Sequence, residues 1–186
     1  MSIKEMIKHT ATIIGREDVK SYINNENFEL LEDTISLTEN LVALSNLVIQ
    51  ELSATFIPMR KKEKVTAKNF RVRYDELSER AVEIKSVYDL DGNKISFTQT
   101  PEYFTVKYSQ VFVEYECVPK NYTLDDEIGY AENDVALILL SYGLASEYYV
   151  STGRFEQAVM WHERYVDGIN SLRKTKNVSL KNRSFV

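Results

Sequence analysis

The chain has 186 residues, a net charge of −5 and a single cysteine, with 44% hydrophobic and 27% charged residues. That size suits one domain with a sizeable core, or one domain carrying an insertion, and the charge gives no global pull toward nucleic acid or anionic membrane. One cysteine excludes an intrachain disulfide and points to an intracellular assembly site, the opening MSIKEMIKHTATIIG is too polar for a secretory signal, and no apolar run approaches the roughly 20 residues a membrane helix needs.

In chain order, Ser2 and Glu5 form an S-x-x-E capping box and Gly15 is a natural stop, which predicts a helix over 2–14. A short second helix over 16–24 follows, interrupted by NNEN. Phe28–Asp33 reads as a separate helical turn or as the start of the next helix. Ser36 and Glu39 form another capping box. Behind it Leu37, Leu41, Leu44 and Val48 make one apolar row, and Val42, Ser45, Ile49, Leu52 and Phe56 a second. Two adjacent rows predict a wide, largely buried face, which Pro58 ends.

After KKEK the period changes to two. Five alternating sets follow: Phe70/Val72/Tyr74, Val82/Ile84/Ser86/Tyr88, Ile95/Phe97, Phe104/Val106/Tyr108, and Val111/Val113/Tyr115/Cys117, with Glu114 and Glu116 on the face opposite the last. They predict an antiparallel meander with one apolar face. Pro119 closes it, and the acidic NYTLDDEIGY suits a helix N-terminus. From about residue 130 a helical period returns through Leu137, Leu140, Leu144 and Tyr148, and Gly153 breaks it. Phe155, Ala158, Val159, Tyr165, Ile169 and Leu172 then line a second helix, completing an αα-hairpin. The fold class is therefore α+β: a helical bundle over 1–62 and 125–174, a small antiparallel β-rich insertion over 63–124, and an extended tail over 175–186.

The candidate sites are few. In DLDGN, aligning Gly92 to the sixth position of a calcium loop puts Asp89 and Asp91 at ligand positions, but Val87 and Thr98 where carboxylates are required. Asp-Gly between apolar runs is instead a hairpin signal. Asp89, Asp91, Gly92 and Asn93 then form an exposed hairpin tip of the β-rich insertion. His9 and His162 with Cys117 are too few and too scattered for a zinc site. A Cys117–His162 nucleophile pair would make the chain a hydrolase, but Cys117 falls on the inward face of a strand pattern. With no glycine-rich phosphate loop, G-x-S-x-G or H-E-x-x-H, neither enzyme activity nor a metal or cofactor is expected. Tyr142-Gly143, Tyr148, Gly153, Phe155 and Ala158 echo a tetratricopeptide helix pair, yet only one pair occurs and a solenoid needs about three repeats. Small residues at Gly143, Ala145 and Ala158 instead allow a close-packed hairpin.

No acidic residue follows Asp167. The ending RKTKNVSLKNRSFV carries Arg173, Lys174, Lys176, Lys181 and Arg183, with Val178, Leu180, Phe185 and Val186 as apolar anchors. It is expected to be a mobile basic segment, either simply solvated or ordered on meeting a partner.

The long helix LTENLVALSNLVIQELSATFIP is followed by a meander containing YDELSERAVEIKSVYDLDGNKISF, a strand V-F-V-E-Y-x-x-x-P running into N-Y-T-L-D-D, and a hairpin with A-S-E-Y-Y, G-R-F-E-Q-A and W-H-E-R-Y. In that order, from roughly Phe28 to Lys176, the chain resembles the head–tail adaptor (head-completion or connector) proteins of tailed bacteriophages. The resemblance implies a structural virion protein that assembles in the host cytoplasm as a homo-oligomeric ring, commonly a dodecamer. The ring would sit in the neck between capsid and tail, beneath the portal protein and above a tail, stopper or nozzle protein. DNA would pass through its lumen without sequence-specific binding, and no membrane is involved. C-terminal segments of such proteins often dock on the portal, which makes Arg173–Val186 the candidate contact, and on the same reading the tip at Asp89, Asp91, Gly92 and Asn93 would touch a neighbouring subunit or the next ring. The helix over 2–14 lies outside the resemblance. The alternatives are a stopper or tail terminator of the same neck, or a host-encoded peptide-binding module built on the 130–172 hairpin. Burial of Tyr142, Tyr149 and Trp161 against the protein's own helices would count against the last.

Overall fold

A computed structural model describes residues 1–24, 32–130 and 135–177, the last five of these as backbone. Among the described residues the fold is mixed α+β, with five α-helices and antiparallel sheets of four and three strands. The chain divides into two compact units. One joins Met1–Val48 to Tyr122–Val186, and the other is Ile49–Asn121.

In the first unit, α1 spans Ile3–Ile14. The capping box is present: Ser2 N donates to Glu5 Oε2 at 2.8 Å, and Glu5 N to Ser2 Oγ at 3.2 Å. Gly15 closes the helix at φ 72°. Ile3, Met6, Ile7, Thr10 and Ala11 repeat at three- and four-residue spacing and form the buried stripe. This face packs on α4 (Leu137–Ser151), where Thr10 Oγ1 donates to Met6 O at 2.9 Å and lies 3.4 Å from Ser141 O. α2 is Glu17–Ile23.

α3 spans Glu32–Glu51, so Ser36 and Glu39 are interior positions and not a cap. The residues before it, 25–31, are outside the described set, including most of NNEN and Phe28–Leu31. The buried stripe of α3 is narrower and more polar than two apolar rows predict. It runs Thr34, Thr38, Leu41, Ser45, Val48 and Ile49, while Leu37, Val42 and Leu44 are half-buried. Thr38 and Ser45 satisfy their hydroxyls within the helix, donating to Thr34 O at 2.8 Å and Leu41 O at 2.7 Å, which is what lets small polar side chains face inward.

The acidic stretch 121–130 is not a helix start. Ile3 N donates to Asp126 O at 3.1 Å, Ile128 N to Met1 O at 2.9 Å, and the Met1 amine sits 3.0 Å from a Glu127 carboxylate oxygen. Lys4 pairs with Asp125. The carboxylates thus hold the segment leading into α1. The last hairpin pairs α4 with α5 (Phe155–Asn177) through Gly153 at φ 72°. Tyr165 and Ile169 of α5 are buried, as is Ala158, but Phe155 is 66% exposed and Val159 also faces solvent. The apolar stripe of α5 therefore begins a turn later than the sequence implies.

The second unit opens with the end of α3. A π-type turn over Leu52–Phe56 follows, in which Ile57 N donates to Leu52 O at 2.8 Å, and Pro58 ends the helix. β1 (Met59–Thr66) comes next, a strand the sequence reading missed. The remaining strands are β2 (Arg71–Arg73), β3 (Ala81–Tyr88), β4 (Lys94–Ile95), β5 (Thr98–Gln99), β6 (Tyr103–Thr105) and β7 (Gln110–Cys117). They do not form one meander. The sheets run β1-β7-β3-β4 and β2-β6-β5, and the first begins with the long-range pair Met59↔Cys117.

β7 alternates as expected, with Val111, Val113, Tyr115 and Cys117 buried. β3 does not. Its register against β7 slips between Ala81 and Glu83 and again between Ile84 and Ser86, so Val82 and Lys85 are extra residues. Each slip shifts the alternation by one. Val82 is consequently 67% exposed, whereas Ile84, Ser86 and Val87 are buried. Phe70, expected inward, sits at φ 62° beside Asn69 at φ 52° and is largely exposed. These two left-handed residues turn the chain between β1 and β2, with Lys68 and Arg71 bonded backbone to backbone.

Candidate functional site

The predicted tip is a closed turn. Val87 pairs with Ile95 and Tyr88 with Lys94, and Asp89 N donates to Asn93 O at 3.0 Å. Gly92 takes φ 85°, the left-handed conformation that makes glycine the natural residue here. The Asp89 carboxylate faces into the turn. It accepts from Asn93 N at 2.8 Å, Asp91 N at 3.0 Å and Asn93 Nδ2 at 3.1 Å. These bonds, that from the Asn93 side chain first, hold its carboxyl below the ordinary aspartate range. Asp89 and Asn93 thus brace the turn from within, while the Asp91 side chain remains exposed on the bend.

The tip is not alone. Asp89, Leu90 and Asp91 share a shallow recess with Tyr108 and Ser109 of the β6–β7 connection and Gln110 at the start of β7. Leu90 is 54% exposed and Tyr108 48%. Two exposed apolar side chains thus lie beside the Asp89 and Asp91 carboxylates. The sequence reading placed Tyr108 inward by extending the alternation of Phe104 and Val106. In fact β6 ends at Thr105, and Lys107–Ser109 bend before β7 starts.

Elsewhere the sheet carries a partly buried polar network around Tyr115. Tyr115 Oη donates to Glu63 Oε1 at 2.8 Å and accepts from Glu79 N at 3.3 Å, and Ser78 N donates to the same Glu63 oxygen at 2.9 Å. Burial pushes the Tyr115 phenol up to about 12. Burial also pushes the Glu63 carboxyl up, but the Ser78 and Tyr115 hydrogen bonds outweigh it and leave the group below its usual range. On the other face, Lys85 lies 2.8 Å from Glu83 and 3.2 Å from the nearly buried Glu116, which also faces Arg60 at 3.4 Å. These groups are structural ion pairs.

Cys117 is buried, and its thiol faces Met59 O at 3.7 Å. Burial raises its pKa, the opposite of an activated nucleophile. Cys117 and His162 belong to different units, and His9 and His162 are both exposed. Among the described residues, no three His, Cys, Asp or Glu side chains are grouped to hold a metal.

On the helical hairpin, Tyr149 is buried and its ring meets that of Tyr148 edge-on at 5.4 Å. Tyr142 and Trp161 lie ring to ring at 5.3 Å, with the Arg164 guanidinium 4.6 Å from the indole. Of Tyr142, Tyr149 and Trp161 only Tyr149 is buried, whereas Tyr142 and Trp161 are half-buried.

The C-terminal candidates divide. Arg173, Lys174 and Lys176 lie on the helical backbone of α5, which runs on to Asn177, so an extended tail from 173 or 175 is corrected to one beginning no earlier than 178. The helix continues because nothing in RKTKN breaks it. Val178, Leu180, Lys181, Arg183, Phe185 and Val186 lie outside the described residues.

Among the described residues, no helix is long and apolar enough to cross a membrane. No known protein family's sequence profile matches the chain, and no curated protein is significantly similar to it.

Proposed function

We propose that this chain is a head–tail adaptor: a structural ring protein of a phage neck that binds the portal on one side and a tail or stopper protein on the other. The observation that carries the reading is architectural. A β-rich unit, Ile49–Asn121, interrupts in sequence a helical unit assembled from the segments on either side of it. That arrangement is what the resemblance implies. The exposed Leu90–Tyr108 surface at the sheet tip and the exposed Phe155 and Val159 on α5 supply apolar contact area on both units, as a subunit of a ring requires. The C-terminal end of the chain, from Arg173 through Val186, is the candidate portal contact, and its excess of cations suits an acidic docking site.

The test is genetic. A portal gene is expected beside the gene for this chain, and removing the chain should leave DNA-filled heads and finished tails that do not join. Normal virions produced without it would end the proposal. Against a host-encoded peptide-binding module speaks the burial of Tyr149, while Tyr142 and Trp161 pair ring to ring and stay half-buried.

A further inference from the structure

β1 is the outer strand of the four-stranded sheet, and among the described residues no strand or bridge lies along its free side. Its register against β7 runs without a slip from Met59↔Cys117 to Thr66↔Gln110. In such an antiparallel ladder successive residues aim their backbone groups alternately at the partner strand and away from it. One step beyond Thr66, Ala67 N donates to Ser109 O at 2.8 Å, so the odd-numbered residues face β7. Arg60, Lys62, Lys64 and Thr66 therefore present their N–H and C=O groups at the open edge. The far side of the sheet is blunted: β3 carries two register slips, and Gln99 Nε2 caps Ile84 O at 3.3 Å. β1 has neither device. It offers a regular edge of about 27 Å, the kind of edge to which an extended segment is added.

Charge decides which segment fits. β1 holds Arg60, Lys61, Lys62 and Lys64 against Glu63 alone, and Arg60, Lys62 and Lys64 are exposed. Arg60 faces Glu116 at 3.4 Å. The Lys62 ammonium lies 4.2 Å from the centre of the Tyr88 ring, and neither it nor that of Lys64 meets a carboxylate among the described residues. A second β1 laid antiparallel on the first would set lysine against lysine or arginine, which destabilises a strand pair. A nucleic-acid strand would suit the cations and the N–H groups, but its phosphates cannot donate to the row of carbonyls between them. An extended peptide with acidic residues at alternate positions satisfies the donors, the acceptors and the cations together. We propose that the open edge of β1 receives an extended acidic segment of a partner protein as an additional strand of this sheet. The inference stands apart from the ring reading, and its test needs no portal.

The test uses the full-length chain and a short synthetic peptide that alternates glutamate with valine, capped at both ends. At saturating peptide, amide hydrogen exchange at Arg60, Lys62, Lys64 and Thr66 should slow at least about ten-fold, while Lys61, Glu63 and Val65, already bonded to β7, should change little. A lysine–valine peptide should bind at least about ten-fold more weakly through like-charge repulsion. The glutamate peptide with its alternate amides methylated should lose as much, because it keeps the charge and loses the ladder. Lys64→Pro removes an outward N–H but no bond to β7, and should weaken binding more than Lys64→Thr does. Should the proline variant fail to fold, the exchange pattern of the parent chain decides. Protection that is absent or does not alternate along β1, equal binding of the methylated peptide, or an oligothymidylate that protects the same amides as well as the peptide does, overturns the proposal.

Discussion

At Gly143 a methyl group would lie 2.8 Å from Val48 Cγ1 and 3.1 Å from the Tyr165 ring. The close approach of α3 and α5 to α4 depends on that missing side chain. Gly143→Ala should cost about 1–3 kcal/mol by overpacking, against a smaller gain in helix propensity. For a chain of this size that lowers Tm by several degrees, roughly 2–4 °C per kcal/mol. An unchanged melt would show that Val48 can turn aside. Asp18 offers a pH test. Arg16 grips its carboxylate at 2.9 and 2.7 Å, and Thr34 Oγ1 donates to it at 2.8 Å. The Arg16 bond above all, aided by Thr34, holds the carboxyl at about 2, below the ordinary 3.8. A carboxyl depressed by folding stabilises the fold above its ordinary pKa and loses that contribution as pH falls toward its folded value. Asp18→Asn should therefore cost about 1 kcal/mol near neutrality, once solvent screening is allowed for, and the difference from the parent should close between roughly pH 4 and 2. A gap that persists at pH 2 would contradict this. Local rules made Ser2–Glu5, Gly153 and Asp91-Gly92 legible in the sequence, because each is a motif within a few residues. The Arg16–Asp18–Thr34 clasp was not, because it joins two helices.

At the scale of elements, what was hidden was hidden by charge or by register. β1 reads MRKKEKVT, and its inward positions include Lys61 and Glu63, so no apolar alternation marks it. Glu63 is tolerated there because Tyr115 and Ser78 supply its hydrogen bonds. Tyr115→Phe should thus leave β7 in place but strip a donor from Glu63 and an acceptor from Glu79 N, at a cost of about 1–3 kcal/mol in denaturant unfolding. A change below a few tenths would mean that water replaces the hydroxyl. The β3 slips explain why Val82 was assigned inward: period-two reading carries a strand's phase through a bulge that only pairing reveals. Of the candidate site, the turn itself was plain from Asp-Gly. Its neighbours Leu90 and Tyr108 were not, since they meet it through the β6–β7 connection.

At the scale of the molecule, the succession of helices, strands and helices was legible from the change of period alone. The split into two sheets was not, because Met59 finds its partner at Cys117, across nearly the whole unit. The central claim is that such subunits close into a ring on a portal. It is tested most directly by mixing the purified chain with the portal protein encoded beside it and imaging the product by electron microscopy. The account predicts a ring of this chain seated coaxially on the portal, with its lumen continuous with the portal channel. Portal particles that remain bare at saturating chain would contradict it.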